Sequence, residues 1–251
     1  MGERLRVQRG GSGDAVVLLL HGLGATGDVW QGVHEQLADG PCRWITPDLP
    51  GHGGSAPLAK YTFGHLAAQL ADLVEEHEHV VVLGHSLGGV LGLALASGWF
   101  GGSIDRACGL GIKVAWSAAE LAGAKAYAER PNKLYAGRTE AAERYLKVSG
   151  LGGLVDVDDP RVDPGLVEHV DGWRLACDPR TFAVGRPDVP GLLAASQAET
   201  LLAVGENDQM CSPEQVKEVD ENATVLAGLG HNAHVEDPGA MVKLINDLLN
   251  P

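Results

Sequence analysis

Gly84-His85-Ser86-Leu87-Gly88 places glycines two residues before and two residues after a serine, between the apolar run Val80–Leu83 and a stretch of small residues. Glycines at that spacing remove the Cβ atoms that would clash in a sharp strand-to-helix turn. Such a turn pushes the serine hydroxyl out of the sheet, and the start of the following helix faces any negative charge that develops there. Ser86 is therefore the candidate nucleophile; a plain glycine-rich turn is the bland alternative, and the flanking elements weigh against it. A serine hydroxyl stays weakly nucleophilic until a base takes its proton. The tail supplies candidates: Gly205-Glu206-Asn207-Asp208 follows the apolar run Thr200–Val204, and Gly228-Leu229-Gly230-His231 follows Ala223–Ala227.

His231 stands at the strand end, between glycines and the approach to the last helix, and is the expected base. His234, one turn on, is expected as a pocket wall or surface residue. Asp208 is the expected acid that orients the imidazole. Glu206 is expected to face away or support its loop, and Glu236 to sit by the N-terminus of the last helix, where the dipole accounts for a carboxylate. Chemistry at an acyl carbon also needs backbone donors for an oxyanion. The candidates are the N–H groups of Leu87, directly after the serine, and of Leu23, in His21-Gly22-Leu23-Gly24. His21, His52 and His85 are expected to be structural. His34, His65, His77, His79 and His169 are expected in surface or packing roles, and no spacing suggests a metal site or cofactor.

These residues need a scaffold that brings distant loops to one edge. Ala15–Leu20 and His79–Leu83 are continuous apolar runs, as strands buried on both faces require. Arg43–Thr46, Thr200–Val204 and Ala223–Ala227 predict further strands. Thr62–Glu76 carries helical spacing, Gly88–Ser97 is a small-residue helix, and Ser212-Pro213-Glu214-Gln215 and Asp237-Pro238 mark helix starts. Strands alternating with helices predict an α/β fold with a mostly parallel central sheet and helices on both faces. Residues 112–190 break the alternation. Ser117-x-x-Glu120 opens one helix, 138–148 forms another and Asp163-Pro164 starts a third, while 150–159 reads as a flexible joint. The expected organisation is a core of 1–111 and 191–251 with a helical lid inserted at 112–190, over the edge where parallel sheets place their sites.

Five motifs in order, His21–Gly24, Asp48-Leu-Pro-Gly-His-Gly-Gly-Ser55, Gly84–Gly89, Gly205–Asp208 and Gly230-His231 through Pro238, resemble the α/β-hydrolase family. The resemblance implies the order nucleophile, acid, histidine, hence Ser86, Asp208 and His231. It implies that Asp48–Ser55 matters for turn geometry rather than chemistry. A serine at position 86 argues against the epoxide hydrolases and haloalkane dehalogenases, which place an aspartate there.

Composition bounds the partners. The chain has 251 residues, a formal charge of −14 and 45% apolar residues. An acidic surface repels phosphate backbones and anionic headgroups, so neither nucleic acid nor membrane is an expected partner; the oligomeric state is open. Four scattered cysteines with no C-x-x-C spacing suit a reduced, cytoplasmic setting. Met1-Gly2-Glu3-Arg4 precedes no apolar stretch of signal-peptide length, and Arg6 stands where a myristoylation signal wants Ser or Thr.

The resulting expectation is a serine esterase acting on a small or medium apolar acyl substrate through an acyl-enzyme. The same constellation serves C–C bond hydrolases, lactonases, thioesterases and a pyruvate-eliminating lyase of menaquinone synthesis. For an acidic substrate, Lys113, Arg130, Lys133 and Arg138 are the available cations. A binding module on a retired hydrolase fold is the third reading. Trp116, Tyr127, Tyr135, Tyr145 and Trp173 are enough to line a pocket, though packing is the commoner use of aromatics.

Overall fold

The computed structural model describes residues 5–250; the Met1–Arg4 segment read above for targeting signals lies outside them. In chain order the strands are β1 (Val7–Gly11), β2 (Val16–Leu20), β3 (Arg43–Pro47), β4 (Val80–His85), β5 (Arg106–Leu110), β6 (Leu166–His169), β7 (Gly172–Leu175), β8 (Glu199–Gly205) and β9 (Thr224–Leu226). The helices are α1 (Gln31–Leu37), α2 (Phe63–Ala71), α3 (Leu87–Ala96), α4 (Ala118–Ala128), α5 (Arg138–Val148), α6 (Val189–Ala195), α7 (Pro213–Lys217), α8 (Ala233–Glu236) and α9 (Pro238–Leu249).

Seven strands form one sheet in the order β1-β3-β2-β4-β5-β8-β9. Only β1 runs antiparallel, against β3; the other pairings are parallel. The continuous apolar runs are the central strands. Along β2, Val17 and Leu19 enter the core on one face with Val33, Met241 and Ile245 from α1 and α9. Val16, Leu18 and Leu20 enter the core on the other face with Leu66 and Leu91 from α2 and α3. Both faces are covered, which is why these strands show no apolar–polar alternation. The chain steps from β2 to β3 on one side, then returns to β4 on the other. The crevice at the C-terminal ends of β2 and β4 is thus a topological switch point, where parallel sheets bind ligands.

β1 and β5 were missed in the sequence. β1 is a short edge strand that ends in Gly10 and Gly11, and β5 contains Gly109, where a Cβ would meet the Ile112 side chain at 2.4 Å. The segment between β5 and β8, expected to be helical throughout, is not. α4 starts at the Ser117–Glu120 capping box and α5 spans 138–148 as predicted. The helix expected from Asp163-Pro164 is a 3-10 turn, Pro160–Gly165, capped by Asp159, and an antiparallel hairpin of β6 and β7 follows it. Pro164 inside the turn removes a helical donor. Leu166-Val-Glu-His169 and Gly172-Trp-Arg-Leu175 are separated by two residues, with Gly172 at φ +139°. The expected flexible joint at 150–159 is packed, with Leu151 and Val155 buried in the core.

The 48–55 loop is pinned by Asp48. Its buried carboxylate accepts from Gly27 N–H at 2.7 Å and Gly54 N–H at 2.9 Å, and from the Arg6 guanidinium at 3.1 Å. Gly53 has no Cβ because one would lie 2.1 Å from that carboxylate. Asp48→Ala leaves Arg6 and two amides without their shared acceptor. It should lower unfolding free energy by about 3 kcal/mol or more in urea titrations; a loss under about 1 kcal/mol would contradict this role.

Candidate active site

Ser86 is the one non-glycine residue with positive φ among the described residues, at φ 50° and ψ −112°. Two close backbone approaches impose this conformation. A Cβ on Gly84 would lie 2.2 Å from Gly88 O, and one on Gly88 would lie 2.4 Å from Leu20 O. The turn is tied down further by Ser86 N–H donating to Leu110 O at 2.8 Å, and by Val90 N–H donating to Ser86 O at 3.2 Å. The serine thus sits between β4 and α3, at the end of the sheet where the β2 loop also arrives.

The acid and the histidine come from the ends of β8 and β9. His231 Nδ1 lies 2.8 Å from Asp208 Oδ2. A carboxylate only accepts, so Nδ1 donates to it; in the neutral imidazole that tautomer leaves the lone pair on Nε2. Asp208 is fully buried at its side chain, and its Oδ1 accepts from Met210 N–H at 2.8 Å and Cys211 N–H at 3.1 Å. These bonds fix the carboxylate without competing for the oxygen that faces His231. Gly111, just after β5, lies against the pair, and its φ of +60° is one that a side chain rarely adopts.

Ser86 and His231 both line one cavity of about 780 Å³, whose walls are mainly apolar side chains including Val90, Ile112, Trp116, Leu121 and Phe182. Gly22 and Leu23 line it as well. A Cβ on Gly22 would sit 3.4 Å from Ser86 Cβ, so the β2 loop lies directly against the serine. Neither Leu23 N–H nor Leu87 N–H finds a protein acceptor among the described residues. Both residues line the cavity. Among the described residues no group of three or more His, Cys, Asp or Glu side chains could hold a metal ion.

Two further histidines, His21 and His85, brace this site. His21 Nε2 accepts from Leu49 N–H and its Nδ1–H donates to Gly22 O, both at 2.8 Å, which fixes the loop that carries Leu23. His85 Nε2–H donates to His231 O at 2.9 Å, tying the elbow to the histidine loop. His234 is not at the surface and does not line the cavity. It is buried, with ring centroids 4.3 Å from His85 and 4.7 Å from Trp30. The apolar side of its short helix turns inward, which the polar sequence around it hides. Glu206 accepts from Gly228 N–H at 2.8 Å and supports the loop as expected. Glu236 accepts from Gly230 N–H at 2.7 Å, so it braces the His231 turn rather than answering a helix dipole.

Of the aromatics considered from sequence, Trp116 lines the cavity, while Tyr135 and Tyr145 are core. Phe63, at the start of α2, and Phe182, in the 3-10 turn Pro179–Ala183, line it unannounced, because their local sequence does not say which side faces the cavity. Of the four cations considered, Lys113 lines the cavity. Arg138 pairs with Asp163 at 2.7 Å, Lys133 with Glu140 at 3.5 Å, and Arg130 lies over Tyr127.

Comparison with known proteins is consistent with this geometry. A family model described as "Alpha/beta hydrolase family" matches residues 17–244. The chain spans about 28% of the length of the uncharacterised mycobacterial relatives that it matches at 41% identity over 98 residues. It is 31% identical over 188 residues to lipase LipV of Mycobacterium tuberculosis, covering 68% of this chain and 67% of that protein. It is 26% identical over 243 residues, 93% of each chain, to 2-succinyl-6-hydroxy-2,4-cyclohexadiene-1-carboxylate synthase of Escherichia coli. Among solved structures, the thioesterase domain from the curacin biosynthetic pathway superposes with a TM-score of 0.79 at 24% identity, covering 97% of this chain and 98% of that one.

Burial holds His21 and His34 down to about 4, and His52 and His234 to about 3; it pushes His85 well below the usual imidazole range. In the unfolded chain these rings take up protons near pH 6.5, at about the ordinary imidazole pKa. Stability is therefore fully present above about pH 6.5 and is lost as pH falls toward the folded values. Tm should drop steadily from pH 7 to pH 4, and His52→Gln should flatten part of that slope. A Tm independent of pH over this window would contradict neutral buried histidines.

Proposed function

The chain belongs to the alpha/beta hydrolase family, and on that premise we propose that it hydrolyses a carboxylic ester of a small or medium apolar acyl substrate through an acyl-enzyme on Ser86. The observation that carries this reading is that His231, paired with Asp208, lines the same apolar cavity as Ser86. His231 Nε2 takes the hydroxyl proton as Ser86 Oγ attacks the ester carbonyl. Asp208 holds the Nδ1–H tautomer and stabilises the imidazolium. The Leu23 and Leu87 N–H groups receive the oxyanion. His231 then protonates the departing alcohol oxygen, leaving the acyl group on Ser86. Water attacks that acyl carbonyl, His231 takes the water proton, and the collapse returns it to Ser86 Oγ as the carboxylic acid leaves.

In this reading residues 112–190 act as a lid over the core formed by 1–111 and 191–251, supplying Trp116, Leu121 and Phe182 to the acyl pocket. Among the described residues no helix is long and apolar enough to cross a membrane. Four free, buried cysteines support the cytoplasm as the working compartment.

Ser86→Ala should reduce hydrolysis of 4-nitrophenyl hexanoate by about 10⁴-fold or more, and Asp208→Asn by about 10⁴-fold, because each removes part of one unit. Steady-state kinetics at pH 8 reads both. A Ser86→Ala chain with near-normal turnover would overturn the proposal.

A further inference from the structure

The cavity lining reverses the charge balance of the molecule. The chain carries 33 acidic and 19 basic residues, yet the cavity wall includes Lys113, Lys125, Lys147 and Arg186 and no Asp or Glu. Lys113 is already neutralised: its Nζ lies 2.8 Å from Glu120, whose carboxyl that contact holds down to about 2. The other three have no carboxylate at ion-pair distance among the described residues. They come from three separate places: Lys125 from α4, Lys147 from α5, and Arg186 from the loop before α6. A single solvated helix face would not bring them together. The preference for cations in a last helical turn accounts for Lys125 and Lys147 being basic, but not for their turning to the same cavity as Arg186.

We infer that the substrate is an acyl compound bearing an anion, its apolar body in the cavity beside Ser86 and its carboxylate or phosphate held at the mouth by Lys125, Lys147 and Arg186. This inference rests on the reading of Ser86 as the acylated residue. Lys125, Lys147 and Arg186 are exposed beside this apolar wall, and three unpaired cations converging at one rim raise the positive potential there, most at low ionic strength. The potential draws an anionic ester or thioester to a protein whose surface otherwise repels it. It also orients the molecule, because the uncharged portion has only the apolar depth of the cavity to enter. An anion at the far end of the acyl chain and a phosphate on the leaving thiol share this chemistry, and the test separates them.

The experiment compares matched substrate pairs at low ionic strength, where such contacts are least screened. One pair is 4-nitrophenyl hexanoate and mono-4-nitrophenyl adipate, which places a carboxylate on the acyl end. The other is hexanoyl-pantetheine and hexanoyl-phosphopantetheine, which places a phosphate on the leaving thiol. The readout is kcat/KM for the anionic member divided by kcat/KM for its neutral partner. In K125Q/K147Q/R186Q this ratio should fall about tenfold for at least one pair, and K125R/K147R/R186K should keep it. The pair that responds identifies the source of the anion. Equal ratios in wild type and the neutralised variant for both pairs would overturn the inference. If no substrate is turned over, the acyl-enzyme reading fails separately. The charge inference is then read on the Ser86→Ala chain by calorimetric binding of hexanoyl-phosphopantetheine and of adipate. Neutralising the three cations should weaken at least one Kd about tenfold, and unchanged values for both would overturn it.

Discussion

The close packing of three backbone segments around residue 86 is the constraint on which the rest of the structure depends. β2, β4 and α3 meet so tightly that Gly84 and Gly88 have no space for a Cβ, and Ser86 is held at a φ that side chains seldom adopt. Such strain persists only where the surroundings over-determine it. Here they do: β4 is paired on both sides, by β2 and β5, and α3 is buried along its length. The same packing puts Gly22 against the serine, so the candidate nucleophile and the candidate oxyanion donors are fixed by one set of contacts. Asp48 and His21 extend that set by clamping the loops behind it.

Electrostatics divides the site into two regions. Behind the cavity wall, His21, His52, His85 and His234 are buried and held neutral, so they serve as hydrogen-bonding and packing groups rather than proton carriers at neutral pH. At the wall, His231 keeps one nitrogen committed to Asp208 and the other free. The orientation of His231 is set from both sides, through its ring by Asp208 and through its backbone carbonyl by His85.

Sequence made the site legible where local geometry leaves few residue choices. The elbow glycines, the apolar β2 and β4 runs, the Ser117 and Ser212 capping boxes and the loops ending β8 and β9 each carry a signal within a few residues. Segments whose conformation depends on tertiary packing were not legible. β5 reads poorly because Gly109 lies inside it, yet that glycine makes room for Ile112, and Gly111 just after it takes a φ of +60° beside the Asp208–His231 pair. The β6–β7 hairpin was hidden by an Asp-Pro pair that looks like a helix start. The cations at the cavity could not be chosen from sequence either. Arg138 and Lys125 both lie on helices of the same segment, and only the fold shows that one pairs with Asp163 while the other faces the cavity.

The central claim is that Ser86 is an activated nucleophile rather than a strained turn residue. Labelling the wild-type chain with a fluorophosphonate and mapping the modified peptide tests it most directly. The account predicts one adduct per chain, on Ser86, formed far more slowly when His231 is replaced by alanine. No adduct, or an adduct on another residue, would contradict it.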